Sequence, residues 1–122
     1  MKQYKKNTII FGVLILSPFM LKQIIPVLKL DGYSGLIWGM FLTTDTRYSE
    51  SYTNRKFLEI EKGMTKSQVY AILGKPIDVW IPEEGLEALA YSISPSDTNY
   101  RIRYVYFSDS KVKETVSYFY VD

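Results

Sequence analysis

Cysteine and histidine are both missing from this chain of 122 residues, and the two gaps close off a wide field of chemistry. Without thiols there is neither a disulfide framework nor a thiolate metal site. Without imidazoles, zinc catalysis on histidine ligands, Ser-His-Asp chemistry and histidine acid–base catalysis are all excluded. No G-x-G-x-x-G or P-loop pattern occurs, so Gly63 and the Gly74-Lys75 pair are helix punctuation and not a phosphate cradle. Carboxylates cluster once, at Glu83, Glu84 and Glu87. They flank Gly85 in a predicted turn with nothing to bury them and raise a pKa, so a solvated loop accounts for them better than paired acid–base catalysis. The regular oxygen spacing of a calcium loop is lacking too. Repeats and low-complexity tracts are absent. The expectation is a non-enzymatic protein without cofactor or metal.

Charge is unevenly placed. The formal net charge is +2, yet residues 1–42 hold five lysines against a single aspartate, and residues 43–122 hold ten basic residues against twelve acidic ones. The basic character belongs to the N-terminal end. The remainder carries no electrostatic footprint for nucleic acid.

That end is strongly apolar. Lys2, Lys5 and Lys6 precede an apolar run over residues 8–21, Lys22-Gln23 interrupts it, and residues 24–30 continue it. As an anchor, residues 8–28 would extend about 31 Å as a helix, enough to cross a hydrocarbon core. Lys22 could snorkel outward, and Pro18 and Pro26 would kink the helix without forbidding it. The same basic start and roughly 14-residue apolar run also fit a secretory signal. The first small-x-small pair for its removal, Gly32/Ser34, lies beyond both Lys22 and Lys29. An interfacial or buried helix is the third reading. In the first two, the lysines hold the N-terminus in the cytoplasm, against anionic headgroups, and send the rest outward. The chain therefore divides into a membrane or signal segment (1–30), a linker (31–52) and a folded domain (53–122). Within the linker, Gly32, Gly35 and Gly39 interrupt an apolar stretch carrying Tyr33 and Trp38, residue types that favour the membrane boundary.

Residues 62–76, reading KGMTKSQVYAILGKP, are the most legible part of the domain. Thr65 can cap a helix and Gln68 can reach back to the cap's own N–H. Met64 and Val69 can close a hydrophobic staple. Val69, Ile72 and Leu73 give one apolar face, Gly74 is the expected left-handed terminator, and Pro76 prevents resumption. Gly63 separates this helix from an earlier one over residues 54–61, capped by Asn54. So short a helix must lean on something.

Strands follow. Residues 77–81 form a short extended run. Residues 86–93 are ambiguous between helix and strand, and strand is preferred. Residues 100–107 and 112–121 alternate as the arms of a terminal hairpin, whose turn at Ser108-Asp109-Ser110 lacks the usual glycine. The predicted class is α+β: an N-terminal membrane helix, then a helix–helix–three-stranded antiparallel sheet. Five of the eleven tyrosines, Tyr100, Tyr104, Tyr106, Tyr118 and Tyr120, fall in the hairpin. They can be cross-strand stabilisers or, on an open face, a partner-binding surface. Arg101, Arg103, Val105 and Phe107 point the other way, so the face that the helices cover decides which set is exposed.

Gly63-Met64-Thr65, Val69 and the run Leu73-Gly74-Lys75-Pro76 resemble the signature of the BamE (SmpA/OmlA) family of small bacterial envelope proteins. Ala90-Tyr91 and residues 104–112, YVYFSDSKV, look like that family's strands. The resemblance covers residues 57–119, about half of the chain. It implies a helix–helix–three-strand unit of the kind also found in β-lactamase-inhibitor-like folds. It also implies a periplasmic domain held at the bacterial inner membrane by a single pass, and a protein partner in outer-membrane assembly or envelope integrity. Outer-membrane members are attached through a lipid-modified cysteine, which this chain cannot supply. An inhibitor or immunity-type module that blocks an enzyme or toxin with its sheet face is the alternative.

Overall fold

Thr65 and Gln68 set the geometry of the central helix. In the computed structural model, which describes the backbone of residues 2–42 and 44–122 and the side chains of Pro18, residues 21–42 and residues 44–122, helix α3 spans Lys66–Leu73. Thr65 Oγ1 accepts the Gln68 N–H at 3.3 Å, and Gln68 Oε1 accepts the Thr65 N–H at 2.9 Å. This reciprocal box satisfies two donors that would otherwise be orphaned. At the far end the Gly74 N–H donates to Tyr70 O at 2.8 Å. Gly74 has φ 78° and ψ −164°, so it takes a positive φ but not the left-handed helical conformation expected of it. A Cβ there would come within 3.0 Å of Ser51 Cβ.

Helix α2, Asn54–Leu58, is capped by Thr53 and not by Asn54. Thr53 Oγ1 accepts the Lys56 N–H at 3.1 Å. The helix stops before the expected residue 61 because its last bonds tighten to i→i+3: Glu59 N–H to Lys56 O and Ile60 N–H to Phe57 O. That turn carries Ile60 inward beside Phe57.

Two antiparallel sheets make up the β layer. Helix α1 (Lys2–Phe41) is followed by β1 (Arg47–Tyr48), and after α3 come β2 (Asp78–Trp80), β3 (Leu86–Ala90), β4 (Ser92–Ile93), β5 (Tyr100–Ser108) and β6 (Lys111–Tyr120). The main sheet has the order β2-β3-β5-β6, and β1 pairs with β4. It holds four strands where three were expected, because residues 78–80 pair with β3 in the register Asp78↔Ala90 and Trp80↔Ala88. A register shift after Tyr106 lets Val112 face the helices while Val116 and Tyr118 lie on the other side.

The β5–β6 turn is a two-residue loop, Asp109-Ser110, with φ of 53° and 63°. Positive φ at both positions matches the right-handed twist of a hairpin but penalises side chains other than glycine. Ser110→Gly is expected to stabilise the fold by about 0.5–1 kcal/mol, read as a higher urea midpoint at unchanged slope.

Between the layers, Phe57, Val69, Leu73, Leu89, Tyr91 and Val105 are almost fully buried. Residues 31–52, expected as a linker, carry the end of α1 and β1. Leu30 joins the core and Pro26 is buried. Helix α1 is kinked at Gly32, with φ 73° and ψ −177°. Beyond the kink it lies against the β5–β6 end of the sheet, where Gly35 and Gly39 face Phe119 and Arg101. Within the expected linker, polar residues 44–48 are tied down: Asp45 accepts from Ser94 Oγ at 2.6 Å, from Ser96 N–H at 2.9 Å and from Thr98 Oγ1 at 3.2 Å. Those donors, Ser94 first, hold the Asp45 carboxyl well below the usual range. Among the described residues no helix is long and apolar enough to cross a membrane. The expected span, residues 8–28, lies mostly outside the residues whose side chains are described.

Candidate functional site

Parity along β5 decides which surface the helices take. Val105 and Phe107 belong to the core with Phe57, Val69 and Leu73, so α2 and α3 cover the face that also holds Arg101 and Arg103. The opposite face gathers Tyr100, Ile102, Tyr104 and Tyr106 from β5, with Val116, Tyr118 and Tyr120 from β6 across the register pairs Tyr100↔Tyr120, Ile102↔Tyr118 and Tyr104↔Val116. All five tyrosines singled out by sequence are thus brought together.

Sequence reasoning missed one member. Trp80 on β2 meets Tyr104 edge-on at 4.8 Å and Tyr106 at 6.5 Å between ring centroids. Its signal was the alternation of residues 77–81, whose strand had been given no place in the sheet. Tyr100 packs on Tyr120 at 5.9 Å, and the Tyr100 and Tyr104 hydroxyls share a hydrogen bond of 2.6 Å. The two rings therefore lean together across Ile102, which is buried beneath them. Among the described residues no helix covers this tray, and Tyr118 and Tyr120 remain 45% and 39% exposed. Glu114, opposite Tyr106, and exposed Asp78 give it an acidic margin. Burial, then the hydrogen bond with Tyr100, raises the Tyr104 hydroxyl; burial, then the Glu114 carboxylate, raises Tyr106. The tray is an aromatic surface that also carries tyrosine hydroxyls.

On the helix side lies an ionic cluster that sequence reasoning also missed. Arg103 is completely buried. Its Nη1 and Nη2 donate to Asp31 Oδ1 and Oδ2 at 2.7 and 3.0 Å, and its Nε donates to the Tyr52 hydroxyl at 2.8 Å. Arg101 Nε adds a bond to Asp31 Oδ2 at 3.2 Å, with its guanidinium 5.5 Å from the Phe119 ring. The Tyr52 hydroxyl donates onward to Asn54 Oδ1 at 2.6 Å, and Tyr48 stacks on Tyr52 at 4.7 Å. Burial acts to lower the Arg103 pKa, but the Asp31 carboxylate together with Tyr52 and Tyr48 outweighs it and the net shift is upward. This cluster fastens α1 to the sheet. Its signal was available: Asp31 is the lone carboxylate of residues 1–42, and the two arginines share the parity of Val105 and Phe107.

The helix motif lies on the layer away from the tyrosines. The Gly63 N–H donates to Val112 O at 2.9 Å, and the Val112 N–H to Met64 O at 2.8 Å, stitching the α2–α3 turn to β6. Met64 packs against the core that holds Val69. The Tyr91 hydroxyl donates to Gly74 O at 3.0 Å, and Pro76 leads into β2. These residues build the scaffold and do not meet the aromatic tray. Among the described residues no group of three or more His, Cys, Asp or Glu could hold a metal ion.

Burial raises the hydroxyls of Tyr48, Tyr52, Tyr91, Tyr104 and Tyr106. The folded state therefore keeps protons that the unfolded chain releases near pH 10, so the stability is fully present below about pH 10 and falls as pH rises beyond it. An absorbance titration at 295 nm should show a late group of tyrosines that ionise together with the loss of far-UV ellipticity. Ionisation of all eleven in one early step would contradict this burial. Compared with family models, curated proteins and solved structures, the chain shows no match.

Proposed function

We propose that this is a non-enzymatic, membrane-anchored envelope protein whose BamE-like domain binds another protein through the aromatic tray. One observation carries the reading: α2 and α3 pack on the arginine-bearing face, so Trp80, Tyr104, Tyr106, Tyr118 and Tyr120 lie on the face that no helix covers among the described residues. Rigid aromatic rings held by edge contacts supply large contact area with little entropy left to lose on binding. The capped helix after Gly63-Met64-Thr65 and the helix–helix–strand order support a BamE-like unit. The basic start and the apolar residues 8–28 support a single pass through the bacterial inner membrane, with the domain in the periplasm. The partner would be a protein of the outer-membrane assembly or envelope-integrity machinery.

Photo-crosslinkers placed at Tyr118 and Tyr120 in cells test it. Adducts with assembly-barrel components support the reading. Adducts with a stoichiometric hydrolase or toxin support the inhibitor or immunity-type alternative, which the same exposed face favours. A reporter fused after Asp122 that is active only in the cytoplasm would refute the envelope location. Once a partner is in hand, Tyr118→Ala and Tyr120→Ala should each weaken binding by roughly 30-fold or more at an aromatic hot spot. Because both rings are well exposed, the urea midpoint should move little.

A further inference from the structure

We infer that residues 33–41 of α1 form an interfacial helix that rests in the lipid headgroup region, with Tyr33, Ile37, Met40 and Phe41 turned into the bilayer surface. The inference rests on the membrane-anchored reading and adds to it a second lipid contact made by the folded domain itself. Tyr33, Ile37, Met40 and Phe41 are 76%, 53%, 74% and 77% exposed. Their spacing of four, three and one residues places them along one stripe of the helix. The opposite stripe is fixed: a Cβ on Gly35 would stand 3.2 Å from Phe119 Cβ, and one on Gly39 would stand 2.5 Å from the Arg101 guanidinium. Asp31, just before the kink, is bonded to both arginines. The helix therefore cannot roll to bury its large side chains against its own sheet.

Those four side chains present roughly 500 Å² of mostly apolar surface, at the upper end of what a soluble monomer leaves uncovered. No charged residue occurs between Asp31 and Asp45, so the surface lacks the ionic rim through which a soluble partner would select it. Its continuity points to lipid. The same helix leads back through the exposed Lys22 and Lys29 to the apolar residues 8–21. The chain turns at Gly32, where φ of 73° breaks the helical path, and Tyr33 and Trp38 are ring types that settle at the headgroup level.

Because the chain contains no cysteine, single cysteines can be labelled cleanly. The full chain is reconstituted in phosphatidylethanolamine–phosphatidylglycerol vesicles with an environment-sensitive fluorophore at Ile37→Cys, Met40→Cys, Leu14→Cys or Lys113→Cys. Lipids brominated at shallow acyl positions serve as quenchers. Quenching at positions 37 and 40 at least threefold stronger than at 113 is the expected result. Quenching at 14 alone would overturn this inference while leaving the anchor intact. Quenching at none of the four would refute the membrane-anchored reading itself. Disulfide-linked pairs through Met40→Cys, with the fluorophore unquenched at 37, would assign the stripe to a second copy and overturn the lipid contact.

Discussion

Alanine in place of Asp31 should lower the unfolding free energy by about 3–5 kcal/mol, the range for stranding one member of a buried ion pair. The carboxylate is fully buried and meets the equally buried Arg103 through two parallel bonds. Remove it, and a guanidinium that cannot shed its proton is left in the protein interior with only Tyr52 and the Ile102 carbonyl as acceptors. Arg101 suffers less, since its side chain is 22% exposed and can reach water. The control is the double replacement Asp31→Leu with Arg103→Met. It deletes more bonds yet should be markedly less destabilised than Asp31→Ala, because no lone charge remains buried. Urea unfolding of the single and double variants provides the cycle. An Asp31→Ala protein within 1 kcal/mol of the parent would show that the pair is not sequestered.

Gly35→Ala reverses the usual sign of a helix substitution. Inside a helix, glycine to alanine ordinarily stabilises by about 1 kcal/mol. Here the new methyl would sit 2.5 Å from Asp31 Cβ and 3.2 Å from Phe119 Cβ. Neither neighbour is the free end of a flexible chain, so the helix must lift from the sheet or the strand must give way. Overpacking of this kind is expected to cost about 1–3 kcal/mol. Gly39→Ala makes the informative companion. Its methyl clashes with the tip of Arg101, which can swing aside, and meets Phe119 Cε2 at an ordinary 3.9 Å, so its loss should be clearly smaller. Equal midpoints for Gly35→Ala and the parent in urea would mean that this helix does not dock as closely as the structure shows.

Features that depend on neighbouring residues were readable from the chain. The box at Thr65 and Gln68, the glycine stop, the alternation of the last two strands and the clustering of five tyrosines on one parity all rest on spacings of two to four residues. What the spacing of Val69, Ile72 and Leu73 could not reveal was which side of the sheet they would meet. Whether the two arginines on the same parity as Val105 and Phe107 would be exposed stayed open, because their burial depends on Asp31, some 70 residues away, to close the charge. The glycines between 32 and 39 read as interruptions of an apolar run. Gly32 does break the helix, but Gly35 and Gly39 are points of close approach between helix and sheet, a matter of contact distance that sequence spacing does not carry. Trp80 was overlooked for a related reason: a three-residue strand shows too few alternations to declare its pairing.

The depth at which Asp31 is held bears on how the polypeptide could be trimmed. A peptidase cutting at the Gly32/Ser34 pair would carry off the counter-ion and leave two cations facing one another where α1 had been. Removal of a leader at that bond is therefore expected to destabilise this tertiary arrangement. A cut upstream of Leu30 would leave both that core residue and the Asp31 counter-ion in place.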